Sequence, residues 1–396
     1  MQGPVLPRAS RAPSFALVAP YLPAPANTGG RIRIHRLARA LSFLGHVDLF
    51  ARYWPVEIAP DAGDVSSALS LYRHRELCDR GPFLGIPGIT SRRAREAAPR
   101  ALRDALARRH SASPYAAVIA CHSYGALAAI DLRDATLVLD EHNIESRYAR
   151  AVTPNARAEA LRLERWERRV WREADLVTTV TDDDARVVTA TREGAVEVVP
   201  NGVACDEIAF TAPSHRRSHE LLFVGSMSHP PNVRCAISLA REVLPRVRAQ
   251  HPDARLVVCG RAPSREVRAL ASEHVEVTGT VADVAPWLAR AGAYVNLLDA
   301  GAGSSLKVPE ALASGVPLVS SRIGVRGFAL DDGAHYLNAE SAEEAARAVI
   351  ESWRDPTASD ARASAAREAI SSLDWAVVGA RFAELVMAAA KRRGTA

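Results

Sequence analysis

Cysteine, lysine and aromatic side chains are all scarce in this 396-residue sequence, and each scarcity closes off a class of protein. The five cysteines (Cys78, Cys121, Cys205, Cys235 and Cys259) are scattered, odd in number and form no C-x-x-C pair. This pattern argues against a disulfide framework or a cysteine-ligated zinc site and suits a reducing compartment. No run of eighteen apolar residues occurs, so no membrane-spanning helix is expected. The opening stretch, Met1 to Ser14, is polar and proline-rich without an apolar signal core, which leads to the expectation of a soluble, cytoplasmic protein. Aromatics are 6% of the chain, and none is interleaved with the densest basic stretch, Arg92 to His110. A nucleic-acid platform is therefore not expected. The helical spacing of that stretch suits a solvated helix face or a surface that meets anionic lipid, so peripheral membrane contact stays open.

Only two of the 50 basic residues are lysine, Lys307 and Lys391. The rest are arginine, which keeps its charge at neutral pH and suits phosphate binding, although a high-GC genome produces the same bias. From Phe15 onward, short apolar runs alternate with longer helical patterns, as in an α/β domain with a mostly parallel sheet. Strand candidates in the first half are "FALVAPYL", "VDLFARY", "YAAVIACH", "ATLVLDE", "DLVTTVT" and "VEVVP". Between the first two, "RIRIHRLARALSFLG" places Ile34, Leu37, Leu41 and Leu44 on one helical face and stops at Gly45.

The rhythm breaks over Asn201 to Glu220, which is polar and turn-rich, and restarts with "LLFVGS", "ARLVVCG", "VEVTGT", "AYVNLLD" and "PLVSS". The reading is two Rossmann-like α/β domains with parallel sheets facing across a cleft: residues 1–200, a linker over 201–218, and a second domain from 219. In such sheets, ligands bind beyond the carboxyl ends of the strands.

Three constellations could carry chemistry. In "GAGSSLKVPEALASG", Pro309 sets a helix start near Val308, placing Glu310 in the first turn. Gly303, Ser304, Ser305 and Leu306 then present backbone N–H groups at a helix N-terminus, where phosphate is favoured. Glu310 could hold a pair of ribose hydroxyls and Lys307 a diphosphate. Alternatively, Glu310 complements its helix dipole and pairs with Lys307 at i, i+3. In "LVLDEHNIES", a buried strand ends in Asp140, Glu141, His142 and Asn143. His142 could contact a sugar or an acceptor hydroxyl, or Asp140 could cap the next helix while His142 fills a gap. In "PYLPAPANTGGRIRI", Gly29 and Gly30 bring backbone close to a ligand at the first strand-to-helix turn, without the G-x-G-x-x-G spacing of a dinucleotide site.

Two further patterns point elsewhere. Cys121-x-Ser123-x-Gly125 approaches the G-x-S-x-G elbow of an acyl hydrolase, with Asp140 and His335 as the best available partners, but the first small position is cysteine. Asp182 and Asp184 form a D-x-D that reads either as a metal-ligand pair or, at a strand-to-helix junction, as first-turn acids of a capped helix.

Taken in order, "NTGGRIRIHRLARALSFLGHVDLF", "LDEHNIES", "ADLVTTVTDDDA", "VVPNGV", "LLFVGSMSHPPN", "ARLVVCGRAP", "VTGTVADVAPWLARAGAYVNLL", "GSSLKVPEALASGVPLVSS" and "DGAHYLNAES" resemble the GT-B glycosyltransferases, most of all the family-four retaining group. The resemblance runs from Pro20 to about Ala390. It implies a nucleotide-sugar donor on the second domain and a glycan, lipid or small-molecule acceptor on the first. Glu310 would hold the ribose, the "GSSLK" amides and Lys307 the diphosphate, and the turn near Val281 the base, with Gly225 on the donor loop. His142 and the Gly29–Gly30 turn would face the transferred sugar. No cofactor or metal is implied. Residues 374–396 resemble a closing helix that returns to the first domain, anchored by Trp375, which ends the second domain at 373.

The sequence departs from the family at two places. The partner of the usual glutamate pair, seven residues apart, is here Ala302, and "GSMSHPPN" replaces the Arg and Lys that commonly follow the first strand of the nucleotide domain. Arg261, Arg322 or Arg326 are candidates to compensate. The rival functions are a nucleotide-sugar epimerase or phosphorylase on the same fold and a catalytically silent nucleotide-sugar binder that assists a partner transferase.

Overall fold

The computed structural model describes residues 12–53, 62–79, 82, 84, 91–152, 157–301 and 303–395, so Ala302 and most of the N-terminal lead lie outside the described residues. A first sheet contains β1 (Ser14–Ala19), β2 (His46–Arg52), β3 (His74–Cys78), β4 (Ala117–Cys121), β5 (Thr136–Glu141), β6 (Leu176–Thr179) and β7 (Ala195–Val198). Its spatial order is β3-β2-β1-β4-β5-β6-β7, and every pairing is parallel. Helices cover both faces, which is why the central strands read as near-continuous apolar runs. Phe15 and Leu17 point into one core, and Ala16 and Val18 point into the other. The sequence reading missed β3 because "HRELC" is a half-buried edge strand whose polar residues mask its period.

The second sheet contains β8 (Glu220–Val224), β9 (Arg255–Cys259), β10 (Val275–Gly279), β11 (Ala293–Asn296), β12 (Leu318–Ser320) and β13 (Leu337–Asn338). It is also all parallel, in the order β10-β9-β8-β11-β12-β13. The α/β class and the two Rossmann-like sheets expected from the sequence are therefore observed. Strand order reverses between β1 and β4 in the first sheet and between β8 and β11 in the second. These are the places where the loops diverge and leave room for a ligand.

Residues between the sheets are packed rather than loose. Arg216 donates to the carbonyls of Leu288 (2.7 Å), Ala291 (2.8 Å) and Ser314 (2.6 Å), and its burial lowers its pKa to about 10. The last helix, Trp375–Arg393, is capped by Asp374, which accepts from the Ala376 N–H at 2.8 Å. Its Trp375, Val378, Phe382 and Val386 share the core of the first sheet with Leu37 and Leu41 of the helix Gly29–Ser42. Gly379 is required there, because a Cβ on it would lie 2.8 Å from Ala40 Cβ. No helix among the described residues is long and apolar enough to cross a membrane.

Candidate active site

At the first switch point, the loop after β1 delivers Tyr21 and then the helix that begins with Gly29 and Gly30. The turn after β4 delivers His122, held at φ 57°. A non-glycine residue in the left-handed region is strained, and such strain collects at functional sites. His122 Nε2 lies 3.1 Å from the Tyr21 hydroxyl, and its Nδ1 lies 3.4 Å from Glu145. Its ring centroid is 3.9 Å from that of His142, which follows β5.

Behind this histidine pair stands a buried ion pair. Arg33 grips Asp140 with two bonds (3.0 and 2.6 Å), and the same carboxylate accepts from Thr178 Oγ1 (2.8 Å) and meets His142 Nε2 at 3.0 Å. Burial works to raise the Asp140 pKa, but Arg33 and His142 more than reverse it and hold it well below the usual carboxylate range. Burial, with His122 alongside, lowers His142 to about 4. His142 is therefore a neutral imidazole at pH 7. Its Nε2–H is donated to Asp140, which fixes Nδ1 as the acceptor. Asp140 caps no helix. The Glu145 and Ser146 amides that open the next helix donate to Glu167 instead, the former at 2.6 Å.

At the second switch point, β8 leads into the loop carrying Gly225, and β11 leads into the segment ending at the helix Lys307–Ser314. Lys307 opens that helix, one residue earlier than expected, and Leu306 before it provides no side-chain cap. Among the described residues, no backbone bond claims the amides of Gly303, Ser304, Ser305 or Leu306. Lys307 and Glu310 form no ion pair. Lys307 Nζ instead donates to Asn232 Oδ1 at 3.0 Å and lies 5.0 Å from the Phe223 ring centre. Burial, reinforced by Arg326, lowers its pKa to about 8. Glu310 carries no side-chain hydrogen bond among the described residues. Burial, with Asp283 adding repulsion, raises it to about 7. Asp283 belongs to the turn of Val281, which packs half-buried beside this helix.

The two halves meet here. Gly303 (φ 62°) sits so close that a Cβ on it would come within 2.5 Å of both the Asn143 Oδ1 and the His142 carbonyl oxygen. Asn201 Nδ2 donates to the Ser304 carbonyl (3.2 Å) and hydroxyl (3.1 Å), and Leu306 packs into the core of the first half. A Cβ on Gly29 would contact Leu306 at 3.6 Å; one on Gly30 would lie 3.6 Å from His142 Nδ1 and collide with the Tyr21 hydroxyl oxygen at 2.1 Å. Small residues on both sides thus bring His142, Gly29–Gly30 and the "GSSLK" loop together.

Gly225 acts differently from an amide donor. Its N–H is bonded to the Cys259 carbonyl at 2.9 Å, and its lack of a side chain lets Asn232 approach Lys307. Of the three candidate arginines, Arg261 and Arg322 are exposed. Arg326 is half-buried, lies across Gly301 and is close enough to Lys307 and His229 to depress both their pKa values. Ser123 is fully buried inside a helix start. Asp140 is bound to Arg33, and His335 accepts from the Asp331 amide in the other half, so no hydrolase triad is assembled. Thr181 caps the helix Asp182–Thr189, and Asp182 and Asp184 are its first-turn acids. The sequence reading missed His122, Tyr21, Arg33, Asn201 and Asn232. The available signals were a histidine directly after a buried strand and an arginine placed beside the apolar face of the first helix.

Comparison with known proteins gives the same picture. The pattern described as Glycosyltransferase Family 4 matches residues 28–207, and that described as Glycosyl transferases group 1 matches residues 218–355. The chain is 29% identical over 227 residues to a phosphatidyl-myo-inositol mannosyltransferase of Mycobacterium leprae, covering 54% of this chain and 59% of that protein. It is 32% identical over 210 residues to a glycogen synthase of Mycobacterium tuberculosis, covering 49% of each. These matches span about half the length of the relatives. In fold, the sucrose-phosphate synthase of Thermosynechococcus elongatus superposes with a TM-score of 0.73 at 18% identity, covering 95% of this chain and 98% of that one. HepE of Anabaena, solved in complex with UDP-glucose, superposes with a TM-score of 0.68 at 17% identity over 95% and 100%. Two parallel doubly wound sheets, a junction at their switch points and two family patterns that together span most of the sequence make this chain a member of the GT-B glycosyltransferases, of the family-four and group 1 type.

Proposed function

We propose that the chain is a retaining glycosyltransferase that moves a sugar from a nucleoside-diphosphate sugar to an acceptor hydroxyl. The observation that carries this reading is the junction itself. The 303–306 loop, whose amides no backbone bond claims among the described residues, lies against His142 and the Gly29–Gly30 turn. The helix that follows it carries Lys307 and Glu310, the latter without a side-chain hydrogen bond among the described residues. Glu310 accepts from two ribose hydroxyls, the Val281 turn meets the base, and the amides of 303–306 take the diphosphate. Lys307 and Arg326 supply the charge that the missing Arg and Lys would have given. HepE, solved with UDP-glucose, supports a nucleotide-sugar donor.

In the transfer, the acceptor oxygen bonds to the anomeric carbon on the face from which the diphosphate departs. The carbon–oxygen bond to the diphosphate breaks, and the acceptor proton passes to the departing phosphate oxygen. The protein then contributes positioning and stabilisation of the leaving charge. Neutral His142, with Asp140 fixing its tautomer, accepts a hydroxyl hydrogen bond at the junction. Because amides and cations meet the diphosphate, transfer needs no divalent metal, and chelator should leave the rate unchanged.

The test is incubation with a panel of nucleotide sugars and candidate acceptors, followed by NMR of the anomeric centre. Transfer or hydrolysis with retained configuration supports the reading. An altered sugar would make the chain an epimerase, release of a sugar phosphate a phosphorylase, and binding without turnover a silent partner.

A further inference from the structure

A second cluster lies at the opposite, amino ends of strands in the second sheet, away from the strand ends that build the junction. His219 immediately precedes β8, and His251 and Asp253 precede β9. One ligand atom from each of the three residues lies within 4.8 Å of the others. His219 Nδ1 is already 2.9 Å from Asp253 Oδ2, and the two imidazole rings are 4.4 Å apart at 56° to one another. Both rings rest on Trp353, at 4.7 and 5.1 Å, and Trp353 is itself pinned by its Nε1 bond to the Gly292 carbonyl (3.0 Å).

The backbone holds this arrangement without help from the side chains. The Arg255 amide donates to the His219 carbonyl at 3.2 Å; the His251 amide donates to Val247 and its carbonyl accepts from Ala254, each at 2.9 Å. Two imidazoles and one carboxylate are the donor set that a zinc-type ion takes, with water in the fourth position. Bonds of about 2.0–2.1 Å in a tetrahedron put ligand atoms roughly 3.3 Å apart, so rotations of His251 and Asp253 complete the geometry.

We propose that His219, His251 and Asp253 form a binding site for one zinc-type divalent cation. The ion cross-links the segment entering β8 to the turn entering β9. Binding takes the place of the hydrogen bond between His219 Nδ1 and Asp253, so the ion and a proton compete for the same atoms. Arg354 is close enough to His251 to lower its pKa, and its charge works against the ion's. At the amino ends of β8 and β9 the site is structural, and it takes no part in transfer at the carboxyl ends.

The experiment uses the 396-residue chain, stripped with chelator, dialysed and titrated with zinc chloride. The expected result is one ion per chain and a melting temperature raised by a few degrees. Both should be lost in H219A/H251A, and D253N should weaken binding about tenfold or more. Cobalt substitution should give visible d–d bands without a thiolate charge-transfer band, which separates this site from the five cysteines. The absence of one-to-one uptake, equal uptake by the double variant, or a thiolate band would overturn the proposal. If the double variant fails to fold, D253N alone decides, because Asp253 is largely exposed and its loss leaves the core intact.

Discussion

The two halves of the junction use charge in opposite ways. On the first sheet the polar and charged groups are committed to one another: Arg33 to Asp140, Asp140 to His142, and His122 to Tyr21 and Glu145. On the second sheet, among the described residues, Glu310 and the amides of 303–306 have no such partners, and Lys307 is held by one neutral amide oxygen and an aromatic face. Groups bonded to one another fix geometry, whereas groups left without protein partners are open to a ligand. On the proposed reading, the first half positions the reacting groups and the second binds charge. Single substitutions should separate the two roles.

The largest expected effect is at His142. In His142→Ala, nucleotide-sugar binding should stay nearly unchanged because the proposed nucleotide site lies on the other sheet. Turnover should fall by roughly 10²–10⁴ if the imidazole positions the reacting groups. Donor affinity and initial rate on the same sample check this, and a normal rate in a stable variant would remove His142 from the mechanism. Next comes Arg33→Ala, which leaves Asp140 buried without its counter-charge and should cost about 3–5 kcal/mol, read from the denaturant midpoint. If that variant is as stable as the parent, the first half is not the rigid network described here.

Glu310→Gln tests the other side. Its carboxylate is unpartnered, so folding stability should change little or rise slightly. Donor affinity should drop by about 10- to 100-fold through the loss of charge-assisted bonds worth about 1.5–3 kcal/mol. A thermal melt and a titration with nucleotide sugar measure both. Unchanged affinity in a folded variant would contradict the assignment of Glu310 to the ribose.

This asymmetry also explains what could be read from the sequence. The central strands were visible because strands buried on both faces are apolar runs, whereas β3 and the two-residue β13 carry no such signal. Glu310, Lys307 and the small residues before them stood out because an unsatisfied group sits among bland neighbours. His142 was visible from its strand-end position, but the groups that hold it were not. Arg33 is 107 positions from Asp140 and His122 is 101 from Tyr21, and no local pattern announces a pair at such separation. Asn232 went unnoticed for a related reason. In "GSMSHPPN" the missing cations drew the eye, yet what that loop contributes is an amide oxygen for Lys307, placed by the absence of a side chain at Gly225.

The smallest expected effect, a pH window for donor binding, sharpens the comparison most. In the proposed site Glu310, at about 7, would bind ribose hydroxyls as the carboxylate, so affinity should rise as pH increases through 7. Lys307, at about 8, would bind the diphosphate as the ammonium, so affinity should fall as pH increases through 8. Each limb changes affinity by about tenfold per pH unit at most, which places the optimum between the two values. His142 and His229 are both lowered to about 4 and do not titrate inside this window, His142 through burial and His122, His229 through burial and the charge of Lys307. The measurement is a titration with an intact nucleotide sugar, whose diphosphate is esterified at both ends and does not titrate near neutrality, from pH 6 to 9. Glu310→Gln should flatten the acid limb and leave the alkaline one, while Lys307→Arg should push the alkaline limb upward because guanidinium keeps its charge. A profile that stays flat in the parent, or an acid limb that survives Glu310→Gln, would mean that the charge held in reserve on the second sheet is not what binds the donor.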